Sequence, residues 1–433
     1  MFSKLWLLVG VCVLAWLVRA SFAADANYDE SKVGDYKLPD PLVMENGDPV
    51  KDAKTWKEKR RPELLRLFET HVYGKSPGKP EKIFFKRTSE DKNALGGRAT
   101  RREIDIYFNE DGSGPRLGLL LYLPNSAQKP VPAFLGLNFD GNHTINKDPG
   151  ISLTKSWVPN RKDKGITENK ATLETRGSST GRWEAEKIVD AGFALATMYA
   201  GDIDPDFDDG FTNGVHALYR KGDNKPAPDE WGTVAAWAWG LSRALDYLES
   251  DKDVDAKKVA VIGHSRLGKA ALWAGATDER FAITISNNSG CGGAALSRRI
   301  YGETVARINT SFPHWFADNY NKYNNNENTC PVDQHELIAL IAPRPVYVAS
   351  AEEDKWADPK GEFLSALHAN PVYKLLGTEG LPVTEMPEVD KPVTGTIGYH
   401  IRTGKHDVTT YDWEQYIEFA KKHHSGASIS GRD

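Results

Sequence analysis

The chain has 433 residues, of which 40% are hydrophobic and 27% charged, with a formal net charge of −5. That apolar share supports a full core, the length suits one large α/β unit with an N-terminal appendage, and the mildly acidic balance argues against a nucleic-acid partner. Three cysteines without any CxxC or HExxH spacing supply no ligand set, so neither a metal nor a cofactor is expected.

The first stretch, "MFSKLWLLVGVCVLAWLVRASFAADA", places Lys4 before an apolar run from Leu5 to Val18 and then small residues. A run of about 14 residues is short for a bilayer span of ~20. Residues 1–23 therefore read as a secretory signal peptide cut after Ala23. The mature protein is expected to be secreted or periplasmic, free of the membrane, and monomeric. Loss of Lys4 and Arg19 takes the formal charge from −5 to −7. Cys12 leaves with the signal, and in an exported protein Cys291 and Cys330 are expected to form a disulfide.

Residues 24–97 are rich in Lys, Glu, Asp and Pro, contain one helix, "TWKEKRRPELLRLFETHVYG" (55–74), and read as an extension packed on the core. The main α/β unit then spans 98–433. Its strands "REIDIYFN" (102–109) and "RLGLLLYLP" (116–124) form an antiparallel pair, and "VPAFLGLN" (131–138) follows. Residues 139–182 are polar, Gly-rich and aperiodic, as expected of a segment lining a functional surface. A buried strand at 192–202, a helix at 230–250 and the strand "KVAVIGHS" (258–265) come next. Three more strands, in "FAITISNNSG", "RPVYVASAEED" and "GTIGYHIRTGKHD", each end in polar residues, and the helix "TYDWEQYIEFAKKHH" closes the chain. Apolar strands alternating with helices predict a mainly parallel sheet covered on both faces, with the ligand at the strands' carboxyl ends.

Within "KVAVIGHSRLGKAALW" an apolar strand is broken by Gly263-His264-Ser265 and a helix follows at once. A tight strand-to-helix turn exposes a serine and aims helix N-terminal amides at the same point, which a nucleophile needs. The usual G-x-S-x-G spacing is altered, with Leu267 in the second glycine's place and Gly268 after it. In an α/β-hydrolase the acid follows a late strand and the histidine the last one. His406 stands in that position, and Glu352, Glu353, Asp354 and Asp358 are all candidates for the acid. Asp354 is preferred, about four residues past the strand and with Pro359 beyond it. A three-layer α/β-hydrolase sandwich is the expected fold.

"GHSRLGKAALW" resembles the nucleophile motif of the glucuronoyl esterases, carbohydrate esterase family 15, in which arginine directly follows the serine. The similarity runs from "NFDGNHT" to "GKHDVTTYDWEQY". The resemblance implies Ser265 as nucleophile, His406 as general base and Arg266 as oxyanion donor. It also implies Lys269, Glu303 and Trp356 as sugar-binding residues, with a glucuronoxylan or lignin–carbohydrate ester as substrate. Fungal members carry the triad acid as a glutamate where this chain has Asn288, so the role passes to Asp354, as in bacterial members. The fungal cysteines beside the serine and histidine are replaced by His264 and Asp407. Glu303 has a plainer reading as partner of Arg298 or Arg299, and His143 and His335 read as structural. The competing functions are another carbohydrate esterase such as an acetyl xylan esterase, a carbohydrate-binding protein on an inactive hydrolase fold, and a serine peptidase.

Overall fold

A computed structural model describes residues 26–162, 165–220 and 226–425, so the signal peptide expected at 1–23 lies outside the described residues. One ten-stranded sheet organises the chain, in the order β1-β2-β3-β5-β4-β6-β7-β8-β10-β9. The strands are β1 (Phe84–Ala94), β2 (Ala99–Tyr107), β3 (Arg116–Pro124), β4 (Val131–Asn138), β5 (Ala194–Tyr199), β6 (Val254–His264), β7 (Ile283–Asn287), β8 (Val346–Ala351), β9 (Val393–Thr394) and β10 (Ile397–Arg402). From β5 to β10 the neighbours run parallel; β1, β2, β3 and β9 pair antiparallel at the two edges. The expected hairpin is present as β2 and β3, with Ile104 opposite Leu119.

The side-chain period of a strand accounts for the three layers. In β6, Val259 and Val261 enter one apolar cluster while Ala260 and Ile262 enter the other. The first face is covered by helices α1 (Arg61–Phe68), α2 (Thr233–Ser250) and α3 (Arg266–Thr277), which bring Phe68, Trp237 and Trp273 to the sheet. The opposite face is covered mainly by α5 (Thr410–Ser425), through Trp413, Tyr416 and Phe419. A further helix, α4 (Pro359–His368), follows β8. Among the described residues no helix is long and apolar enough to cross a membrane.

Two expectations need correction. Residues 84–94, read as part of a covering extension, form the edge strand β1, with Phe84 opposite Tyr107 and Ala94 opposite Ala99. Their polar sequence hid the strand, because an edge strand with largely solvated side chains carries little apolar period. Cys291 and Cys330 form no disulfide and are free, buried thiols within one apolar cluster. Burial drives the Cys291 thiol well up and pushes Cys330 to about 12. Disulfide exchange needs a thiolate, which this environment disfavours, and both side chains pack as small hydrophobes.

Candidate active site

The carboxyl ends of β5 to β8 and β10 meet at one edge of the sheet, and the loops leaving them build the site. Ser265 lies between β6 and α3 with φ 57° and ψ −131°, a left-handed backbone that a side chain seldom adopts. Neighbouring backbone holds it there: Ser265 N donates to Asn287 O at 2.8 Å, and Gly268 N donates to Ser265 O at 2.8 Å. A Cβ on Gly263 would come within 1.9 Å of Leu267 O, so this position admits only glycine. The displaced second glycine also has its reason. Leu267 is buried in the core beneath the turn, while a Cβ on Gly268 would meet the Ser289 side chain at 3.0 Å.

Asp354 Oδ2 accepts two hydrogen bonds, from His406 Nδ1 at 2.6 Å and from Asn288 Nδ2 at 2.8 Å. Burial alone would raise the Asp354 carboxyl, but these donors hold it below its ordinary range. Because that carboxylate accepts from Nδ1, the neutral His406 ring presents a bare lone pair at Nε2, the form required of a base. The other candidate acids are placed differently. Glu352 and Glu353 are exposed, and Asp358 is buried against Arg299 at 2.9 Å, with burial pushing its carboxyl to about 6. Of the four, Asp354 alone lines the cleft that contains Ser265 and His406, a solvent-open space of about 710 Å³.

Arg266 follows the serine and places its guanidinium 4.9 Å from the Trp315 ring and 5.5 Å from that of Phe312. It pairs with Asp206, which also accepts from Trp315 Nε1 at 2.7 Å and His314 Nε2 at 3.0 Å. Burial works to raise Asp206, but His314, Arg266 and Trp315 together keep it at about 2. The sequence pattern does not single out Asp206. Its only signal was a position shortly after a buried strand, shared with the other acids of "GDIDPDFDDG".

Lys269, one helical turn past Ser265, is buried, and its amine donates to Ser289 O at 2.6 Å and Cys291 O at 2.5 Å. The same amine lies 3.6 Å from the Glu303 carboxylate, whose pKa burial raises above its ordinary value, with Lys269 offsetting part of the rise. The plainer reading of Glu303 fails, since Arg298 pairs with Asp333 and Arg299 with Asp358 and Glu30. Trp356 is 37% exposed at the rim, and Glu303 N donates to its carbonyl at 3.0 Å. Ser265, His406, the preferred acid Asp354, Arg266, Lys269, Glu303 and Trp356 thus all line one cleft. His143 and His335 lie elsewhere, bonded to Thr175 Oγ1 at 2.7 Å and Pro39 O at 2.9 Å. Asp407 pairs with Arg182 at 2.5 Å.

Glu362 of α4 was also missed. Its Oε1 accepts from Ser289 N at 2.7 Å and Gly290 N at 3.0 Å, and Ser350 Oγ donates to its Oε2 at 2.6 Å. It fastens the turn in which Asn288 takes a φ of 46°. Burial pushes its carboxyl to about 8. Taken together, the cleft can present a hydroxyl, a base held by a carboxylate, and a cation beside the hydroxyl, the set required for acyl transfer.

A family model described as "Glucuronyl esterase, fungi" matches residues 187–377. Over 404 residues the chain is 58% identical to a protein named "Carbohydrate esterase MZ0003" from an unknown prokaryotic organism, covering 93% of each. A solved structure of a promiscuous CE15 esterase from a marine bacterial metagenome superposes with a TM-score of 0.87 at 57% identity, covering 92% of this chain and 100% of that one. A glucuronoyl esterase from Solibacter usitatus superposes with a TM-score of 0.86 at 53% identity, covering 91% of this chain and 100% of that one.

Proposed function

The chain belongs to the glucuronoyl esterases of carbohydrate esterase family 15, and from that premise we propose how its cleft hydrolyses an ester of glucuronic acid. His406 Nε2 takes the proton of Ser265 Oγ as the oxygen attacks the ester carbonyl carbon. Asp354 holds the ring in the required tautomer and stabilises the imidazolium that forms. The carbonyl π pair moves to oxygen, and the Arg266 guanidinium receives that charge. Collapse breaks the bond to the alcohol oxygen, which leaves with the proton from His406. Water, deprotonated by the same Nε2, then attacks the acyl-enzyme and releases the uronic acid and Ser265.

Because the substrate carbonyl is neutral and the intermediate anionic, Arg266 contributes most in the transition state and acts on kcat. Glu303 and the rim face of Trp356 bind the sugar ring. Lys269 commits two N–H groups to the Ser289 and Cys291 carbonyls and directs the third at Glu303 or a sugar hydroxyl. The natural substrate is the 4-O-methyl-glucuronate ester that joins glucuronoxylan to lignin alcohols, met after export. The observation that carries this reading is the Asp354–His406 bond of 2.6 Å in one cleft with Ser265 and Arg266.

The test compares hydrolysis of methyl and benzyl glucuronate with that of aryl acetates. Turnover of the glucuronates, and its loss in Ser265→Ala, is expected. Preference for the acetates, unaffected by Glu303→Ala, would point instead to an acetyl esterase.

A further inference from the structure

Asp412, a fully buried carboxylate on α5 and not among the residues lining the cleft, is linked through Asn287 to the turn that carries Ser265 and through Arg402 to the loop that carries His406. On one side, Asn287 Nδ2 donates to Asp412 Oδ1 at 3.1 Å and to Tyr416 Oη at 2.8 Å. A carboxylate only accepts, so the amide's nitrogen must face Asp412, and its Oδ1 faces His264 Nδ1 at 2.6 Å. His264 is therefore protonated at Nδ1 and carries its lone pair on Nε2. That atom is buried with no hydrogen-bond partner, and burial holds the pKa of the ring well below the ordinary histidine value. This neutral ring lies 4.5 Å, centroid to centroid, from His406.

On the other side, Asp412 Oδ2 accepts from Arg402 Nε at 2.7 Å and from Thr409 N at 2.7 Å. Arg402 in turn donates to the carbonyls of Thr403, Lys405 and Asp407, at 3.0, 2.9 and 2.7 Å. Those carbonyls bracket His406. A loop whose outward carbonyls are clasped by one guanidinium has few ways to reorient. The Thr409 hydroxyl, at 2.8 Å from Oδ2, and His400 Nε2, at 2.9 Å from Oδ1, complete the shell of Asp412.

We propose that Asp412 is a positioning residue for the general base: through Arg402 it fixes the 403–407 loop, and through Asn287 it fixes His264, so that the His406 ring keeps its register with Asp354 and Ser265. This rests on the assignment of Ser265 and His406 given above. The buried network replaces a covalent tie between the nucleophile turn and the histidine loop, and its effect falls on the chemical step and not on sugar binding.

The experiment measures kcat and KM on methyl glucuronate, the labelling rate of Ser265 by a fluorophosphonate, and the melting temperature, for wild type and four variants. Asp412→Asn opposes an amide N–H to donors at the hub; Asn287→Ala cuts only the His264 branch, and Arg402→Met only the loop branch. Glu336→Gln, at the remote buried pair with Arg60, is the control for a purely structural lesion. Each of the first three that folds is expected to lower kcat and the labelling rate together by about 10- to 100-fold with KM within about threefold, the size of a small misplacement of a catalytic group. Glu336→Gln should lower the melting temperature alone. Should Asp412→Asn fail to fold, Asn287→Ala and Arg402→Met carry the test. Unchanged kcat and labelling in those two, or losses that track melting temperature as in Glu336→Gln, would overturn the positioning role. Failure of the underlying esterase reading would show separately, as absence of Ser265 labelling in the wild type.

Discussion

The turn after β6 and the loop after β8 both deliver a proposed catalytic group to the same cleft, yet they do so by different means. At the first, backbone geometry decides: Gly263 admits no side chain, Ser265 is held at φ 57°, and a helix starts at the next residue. At the second, partners decide. Four acids lie within seven residues, and Asp354 is the one in the cleft because Arg299 engages Asp358 while Glu352 and Glu353 stay in solvent. A residue placed by backbone constraint leaves a local signature, whereas one placed by pairing is identified only once its competitors are seen to be engaged elsewhere.

The largest effect belongs to the first region. Ser265→Ala should lower kcat by about 10⁶-fold with the fold intact by circular dichroism, as for nucleophile removal in a serine hydrolase. Retained turnover would remove the turn from the chemistry altogether. For the second region, Asp354→Asn should cost about 10⁴-fold, because an amide at this site favours the wrong His406 tautomer. Adding Asn288→Glu to that variant returns a carboxylate to the neighbourhood of His406 and should recover part of the loss; no recovery would confine the acid role to the β8 loop. Arg266→Ala should lower kcat by about 10²–10³-fold and KM little, measured on methyl glucuronate. A change confined to KM would make Arg266 a substrate clamp.

The smaller effects concern stability. Glu362 titrates at about 8 when folded against an ordinary 4.5, so the folded state holds its proton more tightly. Its stabilising contribution is complete below about 4.5 and is lost as pH rises through about 8. Glu362→Gln keeps the acceptor for Ser289 and Gly290, so its melting temperature should fall less than that of the wild type between about pH 5 and 8. A parallel decline in both would assign the pH dependence to other groups, such as Glu336, which burial also pushes to about 8. Asp358→Asn should cost about 1–3 kcal/mol by leaving Arg299 short of a partner, with kcat unchanged. A large loss of kcat there would erase the distinction between the two buried acids of that loop.

The same contrast explains what was legible beforehand. The strands β4, β6 and β8 were readable because their apolar runs feed both clusters, and β10 and the closing helix because each brings regularly spaced apolar residues to one of them; the convergence of Ser265, Arg266 and His406 on one cleft was readable from a motif and a chain order. The edge strand β1 was not, since solvated side chains removed its period. Asp206 and Glu362 were not, because each is defined by what it accepts: Asp206 from Arg266, Trp315 and His314, and Glu362 from the amides of Ser289 and Gly290. The expected disulfide failed for a related reason. Compartment and spacing describe what a bridge would do, whereas burial of each thiol in apolar surroundings is a property of the fold.

The most direct test of the account is mass spectrometry of the protein after brief exposure to a fluorophosphonate, compared between wild type and His406→Ala. A single adduct on the peptide containing Ser265, formed about 10³-fold or more slowly when His406 is absent, is the result the triad predicts. An adduct on another residue, or equal labelling without the imidazole, would contradict it.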